Sequence, residues 1–261
     1  MFWFGLTLLL SCQKTPLETY SHRANVYFSL EGALRDSIVF TFAYDMNKTV
    51  DTIYIPVQII GLRASEDRYY SAYVEQDSST AVSALHYRPL EPQYPLPAAE
   101  GRDSLPLVIY NTPDLAEKSV SLIVKLQGTP DLGVENRQLV RARILLSARL
   151  EEPEWWNMWL GGYSRVKHEL FYLVTGQRTL TMIGMDAPRN LYFRDMLIMM
   201  LNDPFVWVRD NPEKGYLLTS TDNGATYNFY HRDNPSRTIL LRRNSGTGQY
   251  TFIDENGMEV R

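Results

Sequence analysis

Cys12 is the only cysteine in 261 residues. A lone thiol excludes a disulfide framework and any zinc site built from cysteines. Long apolar runs are also missing. Beyond the short segment 1–10, nothing approaches the roughly 20 residues that a transmembrane helix needs. Positive charge is in slight deficit, with 26 Lys and Arg against 30 Asp and Glu and a net charge of −4. The basic stripe that nucleic acid asks for is therefore absent, and no nucleic-acid partner is expected. Catalytic signatures are missing as well. There is no G-x-S-x-G elbow, and His168-Glu169 lacks the second histidine that a zinc helix places one turn on. His22, His86, His168 and His231 show no ligand spacing. Gly246-Thr247-Gly248 sits in hairpin text rather than ahead of a helix, which rules out a phosphate cradle. Asp222-Asn223-Gly224 and Asp254-Glu255-Asn256-Gly257 offer oxygens but complete no EF-hand loop, and tight turns explain them. No cofactor and no metal are expected.

What is present begins with Leu9-Leu10-Ser11-Cys12. It closes the apolar stretch and looks like a bacterial lipoprotein signal, in which a small residue admits the signal peptidase and the cysteine takes a diacylglyceryl group. Residues 1–11 then read as signal peptide and residues 12–22 as lipidated cysteine and polar tether. Each acyl methylene buried in the bilayer contributes about 0.8 kcal/mol, so such an anchor holds stably. Acylation would also remove Cys12 as a nucleophile. No Lys or Arg precedes the apolar run, so a basic segment is expected upstream of it. Gln13-Lys14 carries no aspartate retention signal, which favours the outer membrane, with the cell-surface face open.

Period-two text fills residues 23–150. Val26, Phe28 and Leu30 lead, followed by Ile38, Phe40 and Phe42, then Ile53 to Ile59 and Tyr70 to Val74. Leu105 to Ile109, Val120 to Leu126 and Val140 to Leu146 complete seven short strands. This predicts an antiparallel β-sandwich. Pro56 and Pro106 each remove a ladder donor, so edges or bulges are expected there. The proline-rich stretch 88–103 reads as an extended, exposed loop. From Pro153 the text turns helical, with helices over about 154–201 and hairpins over about 216–260. Residues 151–261 read as a smaller α+β region, making the whole mainly β. Arg-Asp-Asn-Pro occurs twice, at residues 209–212 and 232–235, as a reused turn.

Two aromatic sets stand out. Trp155, Trp156 and Trp159 share a helix face and are expected to seal that helix against the sandwich. Tyr54, Tyr69 and Tyr73 fall on the polar phase of their strands and are candidate ligand contacts.

The order of several short motifs is similar to a family of Bacteroidetes-type surface lipoproteins known as a domain of unknown function. They are Asp36-Ser37-Ile38 with Phe40-Thr41-Phe42, Ile55-Pro56-Val57 with Gly61 and Asp67-Arg68, and Ala81 with His86-Tyr87. Pro153 with Trp155-Trp156, Gly162-Tyr163-Ser164 with Lys167, and Asp254-Glu255-Asn256-Gly257 complete the series. The first half also resembles a Calx-beta or immunoglobulin-like sandwich. The resemblance implies a neighbour of Sus-type uptake systems and no established catalysis. The function expected is a lipid-anchored outer-membrane accessory protein, not an enzyme. It would bind a glycan, a peptide or a neighbouring envelope protein such as a Sus-type transporter or its glycan-binding lipoprotein. The alternative is a surface-anchored hydrolase whose carboxylates pair in space but not in sequence.

Overall fold

The computed structural model describes residues 23–45, 47–220 and 222–261. Cys12 and the tether through residue 22 lie outside the described residues. The alternating apolar runs form β1 (Asn25–Phe28), β2 (Ile38–Thr41), β3 (Val50–Ile60), β4 (Arg68–Val74), β5 (Tyr94–Leu96), β6 (Arg102–Tyr110), β7 (Val120–Gln127) and β8 (Arg141–Ser147). Three strands make one sheet in the order β1-β3-β6, and five make another in the order β2-β8-β7-β4-β5. The inward phase of both sheets meets in one core, with Ile53, Ile55, Val57 and Ile59 from the first and Leu122, Val124, Ile144 and Leu146 from the second.

All strand pairs of the sandwich but one are antiparallel, and β2 runs parallel to β8. The chain leaves β1 in one sheet and enters β2 in the other through a single 3-10 turn, Gly32–Arg35, so β2 does not have to reverse beside a hairpin partner. Within the proline-rich stretch, β5 is an added strand. Tyr94 and Leu96 are buried on either side of exposed Pro95, and the Tyr94 ring stacks on Tyr70 at 5.5 Å. Pro106 lies on the outer strand β6, as its missing donor requires. Pro56 lies in the central strand β3, just past the last pair with β1, Phe28 with Val57. Its carbonyl accepts from Ser29 N there, so the absent N–H falls where the ladder has ended.

The second half carries α1 (Trp156–Leu160), α2 (Arg165–Thr175), α3 (Ala187–Asn202) and α4 (Pro204–Asp210), then β9 (Tyr216–Ser220), β10 (Thr226–His231), β11 (Asn234–Arg243) and β12 (Tyr250–Phe252). The four strands form one antiparallel meander. Ser164 caps α2, accepting from Lys167 N at 3.2 Å, and Gly176 closes the helix at φ +67°. Pro204 both stops α3 and opens α4, since proline suits a first helical turn. Between β9 and β10, Asn223 and Gly224 both take positive φ, as a tight hairpin turn demands. The two Arg-Asp-Asn-Pro copies meet in space, Arg232 Nη2 donating to Pro212 O at 3.4 Å.

The tryptophans are placed differently from the expectation. Trp155 and Trp156 are buried, but inside the C-terminal core with Leu170, Phe171, Phe229 and Phe252. The ring partners of Trp156 are Trp155, Tyr163, His168 and Phe171. Trp159 packs at the margin of the same core and donates its indole N–H to Thr181 O at 2.9 Å. Among the described residues, Tyr44 makes the aromatic contact across the two halves, edge-on to His168 and Tyr172. A helix of five residues buries too little to seal two layers, so it serves the nearer core. Trp156→Ala is expected to cost about 3–5 kcal/mol in urea unfolding, as full aromatic truncations do. Trp159→Ala should cost clearly less, and equal losses would contradict this placement.

Candidate functional site

Where the halves meet, the end of the sandwich faces the start of α2 and the first half of β11. A cavity of about 250 Å³ opens there, lined by Asn111, Thr112, Pro113, Ala116 and Ala148 on one side. The other side is Arg165, Val166 and Glu169 of α2 with Asn234, Ser236, Arg237, Thr238 and Ile239 of β11. Beside it, sharing Glu169, Asn234, Arg237 and Ile239, is a narrow space of about 20 Å³ that also touches Leu173, Tyr216, Phe229 and Tyr230, and a further cavity of about 240 Å³ lies by Tyr44, Asn47, Tyr172 and Lys214.

Glu169 holds this site together. It is buried, and its Oε1 accepts from Arg165 Nη1 at 2.7 Å and from Arg237 Nη2 at 2.5 Å. Arg165 is one helical turn before Glu169, the spacing at which helix side chains meet. Arg237 arrives by a different device. His231 pairs with Asn234, but Phe229 pairs with Ile239, so residues 235–238 of β11 stand opposite Tyr230 alone. The bulge swings Ser236, Arg237 and Thr238 over the cleft, and bulges often re-aim side chains in this way at functional sites.

The start of α2 is fixed from the far end of the chain. The Glu255 carboxylate accepts from Arg165 N and Val166 N at 2.6 and 3.2 Å. Together with Ser164 it satisfies donors that a helix start leaves open. The Asp254-to-Gly257 motif is thus a turn and a cap. Asp254 Oδ1 accepts from Asn256 N and Met258 N, both at 2.8 Å, while Glu255 reaches α2. Lys167 is buried with its ammonium on Leu160 O, at the carbonyl end of α1. Burial lowers its pKa. Burial likewise pushes the Tyr216 hydroxyl up to about 12, with the Glu169 charge adding to it.

His86 of the Ala81-to-Tyr87 motif pairs with Asp114, Nε2 to Oδ2 at 3.0 Å, and its Nδ1 accepts from Val82 N at 2.8 Å. Both ring nitrogens are therefore engaged, and the pair braces a loop. Burial alone would raise the Asp114 carboxyl. The His86 ring and the Lys118 ammonium, 3.0 and 3.2 Å from its Oδ2, outweigh it and hold that carboxyl well below the usual range. Among the described residues, no group of three or more His, Cys, Asp and Glu is gathered as a metal site would need.

The tyrosines named from the sequence are exposed, at 66% for Tyr54, 42% for Tyr69 and 44% for Tyr73. They do not converge. Tyr54 is on β3 of the smaller sheet, Tyr69 and Tyr73 are on β4 of the larger, and none lines the cleft. The residues that do line it, Arg165, Glu169 and Arg237, were not singled out from the sequence. Arg165 and Glu169 carry an i,i+4 signal, but the bulge behind Arg237 leaves only Pro235 as a hint.

The sequence matches the family described as Domain of unknown function (DUF4843) over residues 20–177. The chain belongs to that family. The DUF4843 match covers the sandwich, α1 and α2, so it includes Arg165 and Glu169 and ends before β11 and Arg237. No curated protein matches the chain. Among solved structures, a Bacteroides ovatus protein proposed to bind carbohydrate is similar at 12% identity and a TM-score of 0.34, over 49% of this chain and 38% of its own. A second Bacteroides ovatus protein, of unknown function, shares 12% identity at a TM-score of 0.40, over 88% of this chain and 71% of its own. The chain thus spans well under two thirds of the first of these.

His168 carries the clearest pH signature next to the site. It is fully buried against Trp155, Trp156, Tyr163 and Tyr44, and its Nε2 has no hydrogen-bond partner among the described residues. Burial pushes its pKa down to about 4. The unfolded chain therefore binds the proton first, and stability is full above about pH 6.5 and falls as the pH drops toward 4. From pH 7 to pH 5, denaturant unfolding should lose about 2 kcal/mol. His168→Phe should remove that part of the slope, and an unchanged slope would contradict a buried, neutral imidazole.

Proposed function

We propose that the protein is a lipid-anchored outer-membrane accessory protein that binds a glycan in the seam cleft, beside a Sus-type uptake system. The cleft carries this reading. It gathers hydrogen-bonding side chains, Asn111, Asn234, Ser236, Arg165 and Arg237, with the aromatic residues Tyr216 and Tyr230 lining the narrow space beside it. Sugars ask for that mixture, with donors and acceptors for hydroxyls and flat apolar faces for ring C–H groups. Ligand sites in general combine a concave apolar wall with a few placed polar groups. The carboxylate in the cleft, Glu169, is committed to two arginines, and the His86 ring is committed at both nitrogens. Groups held this way orient a ligand better than they exchange protons with one, which supports binding over hydrolysis. The apolar stretch ending in Leu9-Leu10-Ser11-Cys12 supports the anchor.

The test uses the full chain, purified in detergent from the membranes of cells fed labelled palmitate. Label on the wild type and not on Cys12→Ala is the expected outcome for the anchor. On a polysaccharide array the same preparation should bind at least one glycan saturably. Ser236→Trp, which fills the cleft, should abolish that binding, while Tyr54→Ala and Tyr69→Ala should keep it. The reverse pattern would move the site to the strand tyrosines and overturn the cleft reading.

A further inference from the structure

We infer that the seam cleft takes an acidic sugar, a ring bearing one carboxylate or one sulfate ester, held between Arg165 and Arg237. The inference rests on the glycan reading above and adds the ligand's charge. The chain as a whole has a net charge of −4, yet the larger cavity is lined by two arginines against one carboxylate. One arginine would suffice to neutralise buried Glu169. The second leaves a cation in excess along the lining, because the neighbouring Glu255 carboxylate is engaged by the backbone N–H groups of Arg165 and Val166.

Geometry makes that excess usable. Both guanidinium groups bond to one oxygen, Glu169 Oε1, at 2.7 and 2.5 Å, so their forks converge on one point. A guanidinium carries five N–H donors, and each of these gives one to Glu169. The arginine side chains are 28% and 23% exposed and both line the cavity, and each keeps donors that Glu169 does not use. Arginine forks bind planar carboxylates and tetrahedral oxyanions through paired hydrogen bonds.

The two arginines are also held in advance. Arg165 sits in the first turn of α2, where its own N–H is fixed by Glu255. Arg237 sits on the β11 bulge, with Glu169 between them as a common tether. Groups ordered before the ligand arrives lose little entropy when it binds. A singly charged ring balances the excess cation. Asn111 and Ser236 stand on the cavity wall within the same space for its hydroxyls.

The experiment titrates the full chain in detergent by calorimetry with three probes: oligogalacturonate, the same oligosaccharide after carboxyl reduction, and a sulfated galactan oligosaccharide. At least one acidic probe should bind ten or more times tighter than the neutral twin, and added salt should weaken it. The acidic probe that binds identifies carboxylate or sulfate as the group recognised. Arg237→Gln should lower that affinity at least tenfold. Ser236→Asp, a change on an exposed rim residue that leaves the Glu169 cluster intact, should do the same with unaltered circular dichroism. Equal affinity for the acidic probes and the neutral twin would overturn the acidic-sugar inference and leave glycan binding standing. Failure of the folded protein to bind any probe here or any polysaccharide on the array would overturn both.

Discussion

Three consecutive ionisable side chains, Lys167, His168 and Glu169, are buried on α2, and much of the molecule is arranged to satisfy them. An unpaired buried charge costs several kcal/mol, so each needs its own solution. Successive residues on a helix point about 100° apart, so the three solutions lie in three directions. Lys167 reaches the carbonyl end of α1. His168 sheds its charge inside a box of aromatic rings that includes Tyr44 from the sandwich. Glu169 reaches across to β11 and Arg237. One helix thereby ties α1, the sandwich and the C-terminal sheet to one another.

The cleft is a by-product of that constraint. Satisfying Glu169 from β11 requires a strand that departs from its ladder, and the bulge at residues 235–238 is that departure. The sandwich end, through Asn111, Thr112 and Ala148, closes the opposite wall. A polar cluster that is needed to bury a helix thus ends up lining an opening at the seam, with its arginines only part-buried. This is the physical route from the burial of α2 to a site that fits a sugar.

Elements whose information is local were legible in the sequence. The seven period-two runs became strands, Ser164 and Gly176 bounded α2 as their chemistry dictates, and Asn223-Gly224 made its hairpin. What depends on partners distant in the chain was not. β5 was hidden because Pro95 masks an alternation only three residues long. The parallel entry of β2 follows from a change of sheet that no local pattern records. Trp155 and Trp156 are buried, and which core receives them depends on how Phe171 and Phe229 come round to meet them. The site itself was the least legible, because Glu169 and Arg237 are 68 residues apart and their contact needs a bulge. The exposed tyrosines were visible in the strand phase. That they sit on different sheets was not.

The seam depends on the Glu169–Arg237 contact, which a double-mutant cycle in denaturant unfolding tests most directly. Glu169→Gln keeps the side-chain shape, Arg237→Gln shortens the side chain, and each removes one charge of the pair. The structure predicts that the two substitutions are strongly non-additive, with a coupling energy of about 1–3 kcal/mol, as for contacting groups in one network. Additivity within about 0.3 kcal/mol, the behaviour of independent sites, would contradict it.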